Sequence, residues 1–185
     1  MSEKNPWKTT GSEVIYENPW LRLREDKVIR PDGNPGIYSV IETRIAVGVV
    51  ALTTNGEICL VGQYRYPTER YSWEIVEGGT DDDEKPLETG KRELQEEAGF
   101  LAKTWTPLGD GIQVSNCISN EIAVFYLAED LTEVEPSPDG TEVLQRRVIP
   151  LSDALEMVRA NEISDAMSIV GLYRAQEYLA ARDAA

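Results

Sequence analysis

Apolar and polar residues alternate through the first quarter of the chain, with strand-like runs at 13–16, 21–29 and 36–42. Pro31-Asp32-Gly33-Asn34-Pro35 lies between the last two and reads as a hairpin connection. This portion is expected to form a small antiparallel sheet after a loosely ordered lead-in over residues 1–11. Asn-Pro-Trp occurs at 5–7 and again at 18–20, too short a match to count as a repeat. From Ile45 the pattern changes. The run IAVGVVAL reads as a buried strand, Thr53-Thr54-Asn55-Gly56 as a turn, and 57–66 as the returning strand. Residues 87–97 are mostly helix formers, with Pro86 suited to a first turn and Gly99 placed where a helix stops. Strands are expected over 103–109, 121–128 and 143–151, and the acidic, proline-bearing stretch 131–140 as a flexible loop able to close over a substrate. Ser152 is positioned to cap a helix over 153–160. A longer helix over 164–181 ends the chain, its buried side formed by Ile169, Leu172, Tyr173 and Leu179.

Composition narrows the chemistry. A chain of 185 residues, 41% hydrophobic and 28% charged, supports one domain with a real core and at most a small appendage. It has no apolar run long enough to span a bilayer and no basic-then-apolar leader, so the cytoplasm is the expected compartment and no membrane partner is expected. Cys59 and Cys117 suggest no disulfide framework. Histidine is absent, which excludes Ser-His-Asp and Cys-His nucleophiles and His-ligated zinc. Acid–base work falls to carboxylates, Tyr, Lys or water acidified by a metal. The formal charge of −15 argues against nucleic acid as a partner. A phosphorylated small molecule is still compatible with it, provided metal ions bring positive charge into the site.

One stretch, 78–100, carries the strongest pattern: GGTDDDEKPLETGKRELQEEAGF. On a helix, Glu93, Glu96 and Glu97 stand at i, i+3 and i+4 and share a face. Three like charges there repel unless something neutralises them, and a hard divalent cation with oxygen ligands does so. A solvated acidic face is the plainer reading of the same residues. Arg92 is expected to point another way and reach back to Glu84 as a forked donor. Gly90 costs about 1 kcal/mol inside a helix relative to Ala, which close packing would offset.

The spacing resembles the signature of the Nudix hydrolases, G-x5-E-x7-R-E-U-x-E-E-x-G-U, with every fixed position filled; Phe100 replaces the usual aliphatic. At residue frequencies of roughly 5–7%, seven fixed positions coincide by chance about once in 10⁸–10⁹ windows, so coincidence is a poor explanation. The resemblance implies an α/β/α sandwich with a mixed sheet over residues 44–185. It also implies a small N-terminal antiparallel sheet over 1–43 that mediates dimerisation and helps hold the base. It implies Mg²⁺ or Mn²⁺ held by Glu93, Glu96 and Glu97, with Glu77 contributing through its main chain. Arg92 and Glu96 are placed among the catalytic residues.

Other segments are similar to the ADP-ribose pyrophosphatase branch, whose members cut the diphosphate bridge of a nucleoside diphosphate sugar. Gln63-Tyr64-Arg65 implies that Arg65 contacts phosphate or the terminal sugar; a surface ion pair is the alternative. Trp73-Glu74-Ile75-Val76-Glu77-Gly78 resembles the branch's WELPAG entry and places Glu74 with the substrate-binding residues, although Val76 and Glu77 depart from Pro and Ala. Segment 110–120, DGIQVSNCISN, lacks the branch's Ser-Pro-Gly loop. Both departures leave the base and sugar open. Glu142 and Glu121 are the two candidates for the general base, and Trp20 and Tyr38 are candidates for stacking on the base. The expected activity is Mg²⁺-dependent hydrolysis of ADP-ribose or a related nucleotide sugar by a homodimer. A non-catalytic nucleotide-sugar sensor and a nucleoside triphosphate pyrophosphatase are the alternatives, the first weakened by an intact signature.

Overall fold

A computed structural model of the chain describes residues 4–137 and 143–184. In chain order the strands are β1 (Lys8–Glu17), β2 (Arg22–Ile29), β3 (Pro35–Glu42), β4 (Ala46–Leu52) and β5 (Glu57–Arg65). After a 3-10 turn at Tyr66–Thr68 come β6 (Arg70–Glu74), β7 (Val76–Gly79) and helix α1 (Pro86–Ala98). Then follow β8 (Phe100–Pro107), β9 (Ile112–Gln113), β10 (Ile122–Glu133) and β11 (Gln145–Pro150), and the helices α2 (Leu151–Arg159) and α3 (Ala166–Asp183). By its contacts the chain divides into two compact units, one of residues 4–44 with Gln113–Ile122, the other of Ile45–Ile112 with 123–137 and 143–184.

The first unit is an antiparallel sheet in the order β1-β2-β3. Its first strand begins at Lys8, so the expected lead-in is shorter than 1–11: Lys8 pairs with Ile29 and Thr9 with Val28. Segment Gln113–Ile122 joins it through local bonds. Ile41 donates its N–H to Ile118 O at 2.8 Å, and the Tyr38 hydroxyl donates to Cys117 O at 2.9 Å.

The second unit is a mixed sheet, β11-β5-β4-β10-β8, with β4 and β10 parallel. Alternate residues of β4 serve opposite faces, which is why its sequence is apolar throughout. Val47, Val49 and Ala51 join Leu94 and Ala98 of α1 in one cluster. On the other face Gly171 of α3 approaches so closely that a Cβ there would lie 2.7 Å from Ile75 Cδ1 and 3.5 Å from Val50 Cγ2. The result is the expected helix–sheet–helix sandwich.

Strands β4 and β5 pair only at Ala51↔Cys59 and Leu52↔Ile58. Into the opening beyond that point runs the segment 70–79, with β6 on β5 and β7 on β4. The chain changes partner at Ile75, which is fully buried. Helix α1 starts at Pro86 and ends at Gly99, whose φ of 65° is left-handed and whose N–H donates to Gln95 O at 3.1 Å.

Three expectations are corrected. Strand β10 continues through Leu131 to Glu133 because Leu131, Thr132 and Glu133 pair with β8, so the expected loop is shorter; its part at 138–140 lies outside the described residues. Ser152 does not cap α2, which begins at Leu151; its hydroxyl donates to Asp153 Oδ1 at 3.2 Å. Helix α3 buries Met167, Ser168, Gly171, Leu172 and Ala175, while Tyr173 is exposed, because the closest approach is made at Gly171. Among the described residues, no helix is long and apolar enough to cross a membrane.

Candidate active site

Helix α1 presents its acids beside β7. The Glu93 carboxylate lies against Gly78, where a Cβ would stand 2.0 Å from Oε1. Only glycine leaves that space. Arg92 does reach Glu84 as a fork, Nε to Oε1 at 3.1 Å and Nη2 to Oε2 at 3.0 Å, and Nη2 also donates to Gly79 O at 3.1 Å. It does not, however, point away from the other acids. Its Nη1 donates to Glu93 Oε1 at 2.6 Å and to Glu96 Oε2 at 3.1 Å. One guanidinium therefore ties the loop before α1 to two carboxylates of α1 and neutralises part of their repulsion. Glu84 responds strongly. Its bonds from Arg92, opposed by burial and helped by the Asp81 N–H and the Thr89 hydroxyl, bring its carboxyl down to about 2.

Glu97 is only 5% exposed, and its Oε2 accepts the Glu77 N–H at 3.1 Å. The Glu77 side chain turns the other way, accepting the Ser168 hydroxyl at 2.9 Å. Burial, with Asp165 beside it, holds its carboxyl well above the ordinary range. Three residues earlier Glu74, 2% exposed, binds Arg65, whose Nε donates to Oε1 at 3.0 Å and to Oε2 at 3.1 Å. Arg65 and Glu74 together form part of the wall of a cavity of about 620 Å³, with Tyr71, Ser72, Ser164 and Asp165 also on its lining. Its volume is of the size that takes a small organic ligand. The acids of α1 do not line it; the segment Glu74–Ile75–Val76–Glu77 connects cavity and acids through the chain.

These residues fit a hard divalent cation. The donors are all oxygens, and Glu93 and Glu96 already bracket one positive group, Arg92 Nη1. Among the described residues, no three acidic or cysteine side chains converge closely enough to cage an ion alone. A hard divalent cation held by one or two carboxylates commonly takes its remaining ligands from water and substrate phosphate oxygens.

Of the other expected residues, three belong to the first unit and one lies outside the described residues. Glu121, Trp20 and Tyr38 belong to the first unit. Burial raises the Glu121 carboxyl, Trp20 is 78% exposed, and Tyr38 packs edge-on against Trp7 at 5.3 Å between centroids. Glu142 lies outside the described residues. Arg146 donates to Ala98 O at 2.8 Å and pairs with Glu133, and Arg147 stacks on Trp73 at 4.2 Å. Cys59 is buried, which pushes its thiol up to about 12. Sequence reasoning passed over Asp165 and Ser168. The pair has the Asp-x-x-Ser form of a helix start, but a helix start set two residues early hid Asp165 as the cap.

Residues 42–168 match the NUDIX domain family profile. The chain belongs to the Nudix hydrolase family. Residues 7–41 of this Nudix hydrolase match a second profile, the nucleoside diphosphate sugar hydrolase N-terminal domain. It is 32% identical over 179 residues to an ADP-ribose pyrophosphatase of Bacillus subtilis (strain 168), covering 96% of this chain and 94% of that one. It is 34% identical over 172 residues to an ADP-ribose pyrophosphatase of Mycobacterium tuberculosis, covering 91% and 83%. The crystal structure of an ADP compounds hydrolase shares the fold, with a TM-score of 0.86, 98% of each chain covered and 21% identity.

Proposed function

We propose that this Nudix hydrolase cuts the diphosphate bridge of ADP-ribose or a related nucleoside diphosphate sugar, with Mg²⁺ or Mn²⁺, giving a nucleoside monophosphate and a sugar phosphate. The observation that carries the reading is the placement of Glu93 over Gly78, bracketing Arg92 Nη1 with Glu96, at the end of the segment 74–77 that starts at the cavity wall beside Arg65. The names of the two relatives and the N-terminal profile support the substrate class.

Glu93, Glu96 and Glu97 are the residues that would hold the cation, with the Glu77 main chain beside them. A divalent ion there supplies charge neutralisation of the diphosphate and acidification of water. Arg65, fixed by Glu74, offers a guanidinium to phosphate oxygens at the cavity wall. Arg92 holds the loop and the helix acids in register. Water attacks one phosphorus, the bond from that phosphorus to the bridging oxygen breaks, and a carboxylate takes the water's proton. We assign that carboxylate to Glu142, with Glu121 as its alternative; the assignment rests on resemblance. Trp20 and Tyr38 are proposed to stack on the base. The homodimer and the cytoplasmic location are likewise proposals, supported by exposed Val14, Ile15 and Tyr16 on β1 and by two free thiols.

The test is an assay of the purified protein with Mg²⁺ against nucleotide sugars, dinucleotides and nucleoside triphosphates. Turnover of nucleotide sugars that Glu97→Gln abolishes while the fold persists is expected. No turnover of any member overturns the proposal, and a preference for triphosphates reassigns the substrate.

A further inference from the structure

The partner change at Ile75 leaves a backbone N–H in a fully buried place between the two strand ladders. A buried N–H without an acceptor costs about 1–3 kcal/mol, so something must meet it. The Ser168 hydroxyl does, accepting at 3.0 Å across 93 residues of sequence, and then donates to Glu77 Oε1 at 2.9 Å. Ser168 is itself fully buried, and its N–H donates to Asp165 Oδ2 at 2.6 Å, the cap of α3. A single hydroxyl thus ties α3 to the switch residue and to the strand that follows it. On the far side of the same strand the Glu77 N–H holds Glu97.

We infer that Ser168 is a positioning residue for the cation-holding acids, acting through the Glu77 backbone on Glu97. The inference rests on the metal role assigned to Glu97 above. Glu77 and Ser168 meet as hydrogen-bond partners, and the strand carrying Glu77 also carries Gly78, over which Glu93 lies. Without the hydroxyl, Ile75 N–H and the Glu77 carboxyl both lose a buried partner. The least costly relief is a shift of 75–77, which displaces the N–H that holds Glu97.

Three measurements on the full chain test this. Mn²⁺ alone is titrated by electron paramagnetic resonance. Amide hydrogen exchange follows Ile75 and Glu77 without metal, and KM and kcat are taken at saturating Mg²⁺. Outer partners of metal ligands typically change affinity by about 10–100-fold, so Ser168→Ala should weaken Mn²⁺ binding about tenfold. It should also speed exchange at Ile75 and Glu77 while KM for substrate stays within about twofold. Ser168→Thr, which keeps the hydroxyl, should restore binding. Ala175→Gly, a destabilising change elsewhere in α3, should leave Mn²⁺ affinity as in the wild type. If Ser168→Ala does not fold, Ser168→Cys carries the same expectation. Wild-type Mn²⁺ affinity in a less stable Ser168→Ala overturns the inference alone. A wild-type protein that neither binds Mn²⁺ nor turns over with metal overturns the proposed function as well.

Discussion

The carboxylate of Glu93 rests on the α-carbon of Gly78, with no room for a methyl group between them. The atoms a Cβ would strike belong to a side chain able to swing away, so the fold should survive where the site does not. Gly78→Ala should therefore keep its melting temperature within a few degrees. Displacing a catalytic group by about 1 Å costs on the order of 10²-fold, and turnover should fall by at least that much. Steady-state kinetics with circular dichroism on the same sample check it; a fully active Gly78→Ala would show that Glu93 need not lie where it does.

Cation binding to the α1 acids should appear as stability. A ligand at 100 times its Kd stabilises by about 2.7 kcal/mol. Mg²⁺ should raise the melting temperature of the wild-type protein and a chelator should reverse the rise. Glu97→Gln should show little of either. Thermal scans with and without Mg²⁺ decide this, and an equal rise in both proteins would place the cation elsewhere.

Glu84 gives the site a defined acid response. Its carboxyl ordinarily titrates near 4.5 and is held at about 2 by Arg92. A group depressed in the folded state adds stability above its unfolded value and loses it as the pH falls toward the folded one. The wild type should exceed Glu84→Gln in stability above about pH 4.5, and the gap should close between there and about pH 2. Urea unfolding of both proteins across that range measures the gap; one independent of pH would refute the ion-pair account.

Gly90 tests packing against propensity. Ala would gain about 1 kcal/mol of helix propensity. Its Cβ would stand 3.2 Å from Val49 Cγ2 and 3.4 Å from both Trp105 Cζ3 and Val47 Cγ1. Overpacking of this kind costs about 1–3 kcal/mol, so Gly90→Ala should be neutral to destabilising. A rise in melting temperature would mean that the sheet yields.

The signature spacing alone specified a helix from Pro86 to Gly99 with three acids on one face, because periodicity and stop signals are local properties. The apolar run of β4 likewise announced a buried strand. Arg92 shows where local reading stops: its reach to Glu84 follows from spacing, but its grip on Glu93 and Glu96 depends on how the loop folds back. Ser168 lies further from reach. Nothing near residue 168 records that the chain changes strand partners at Ile75, so only the assembled sheet leaves the N–H that this hydroxyl meets. Glu77 was expected to serve through its backbone; tertiary structure gave its side chain a partner of its own, since burial admits a carboxyl only with hydrogen bonds.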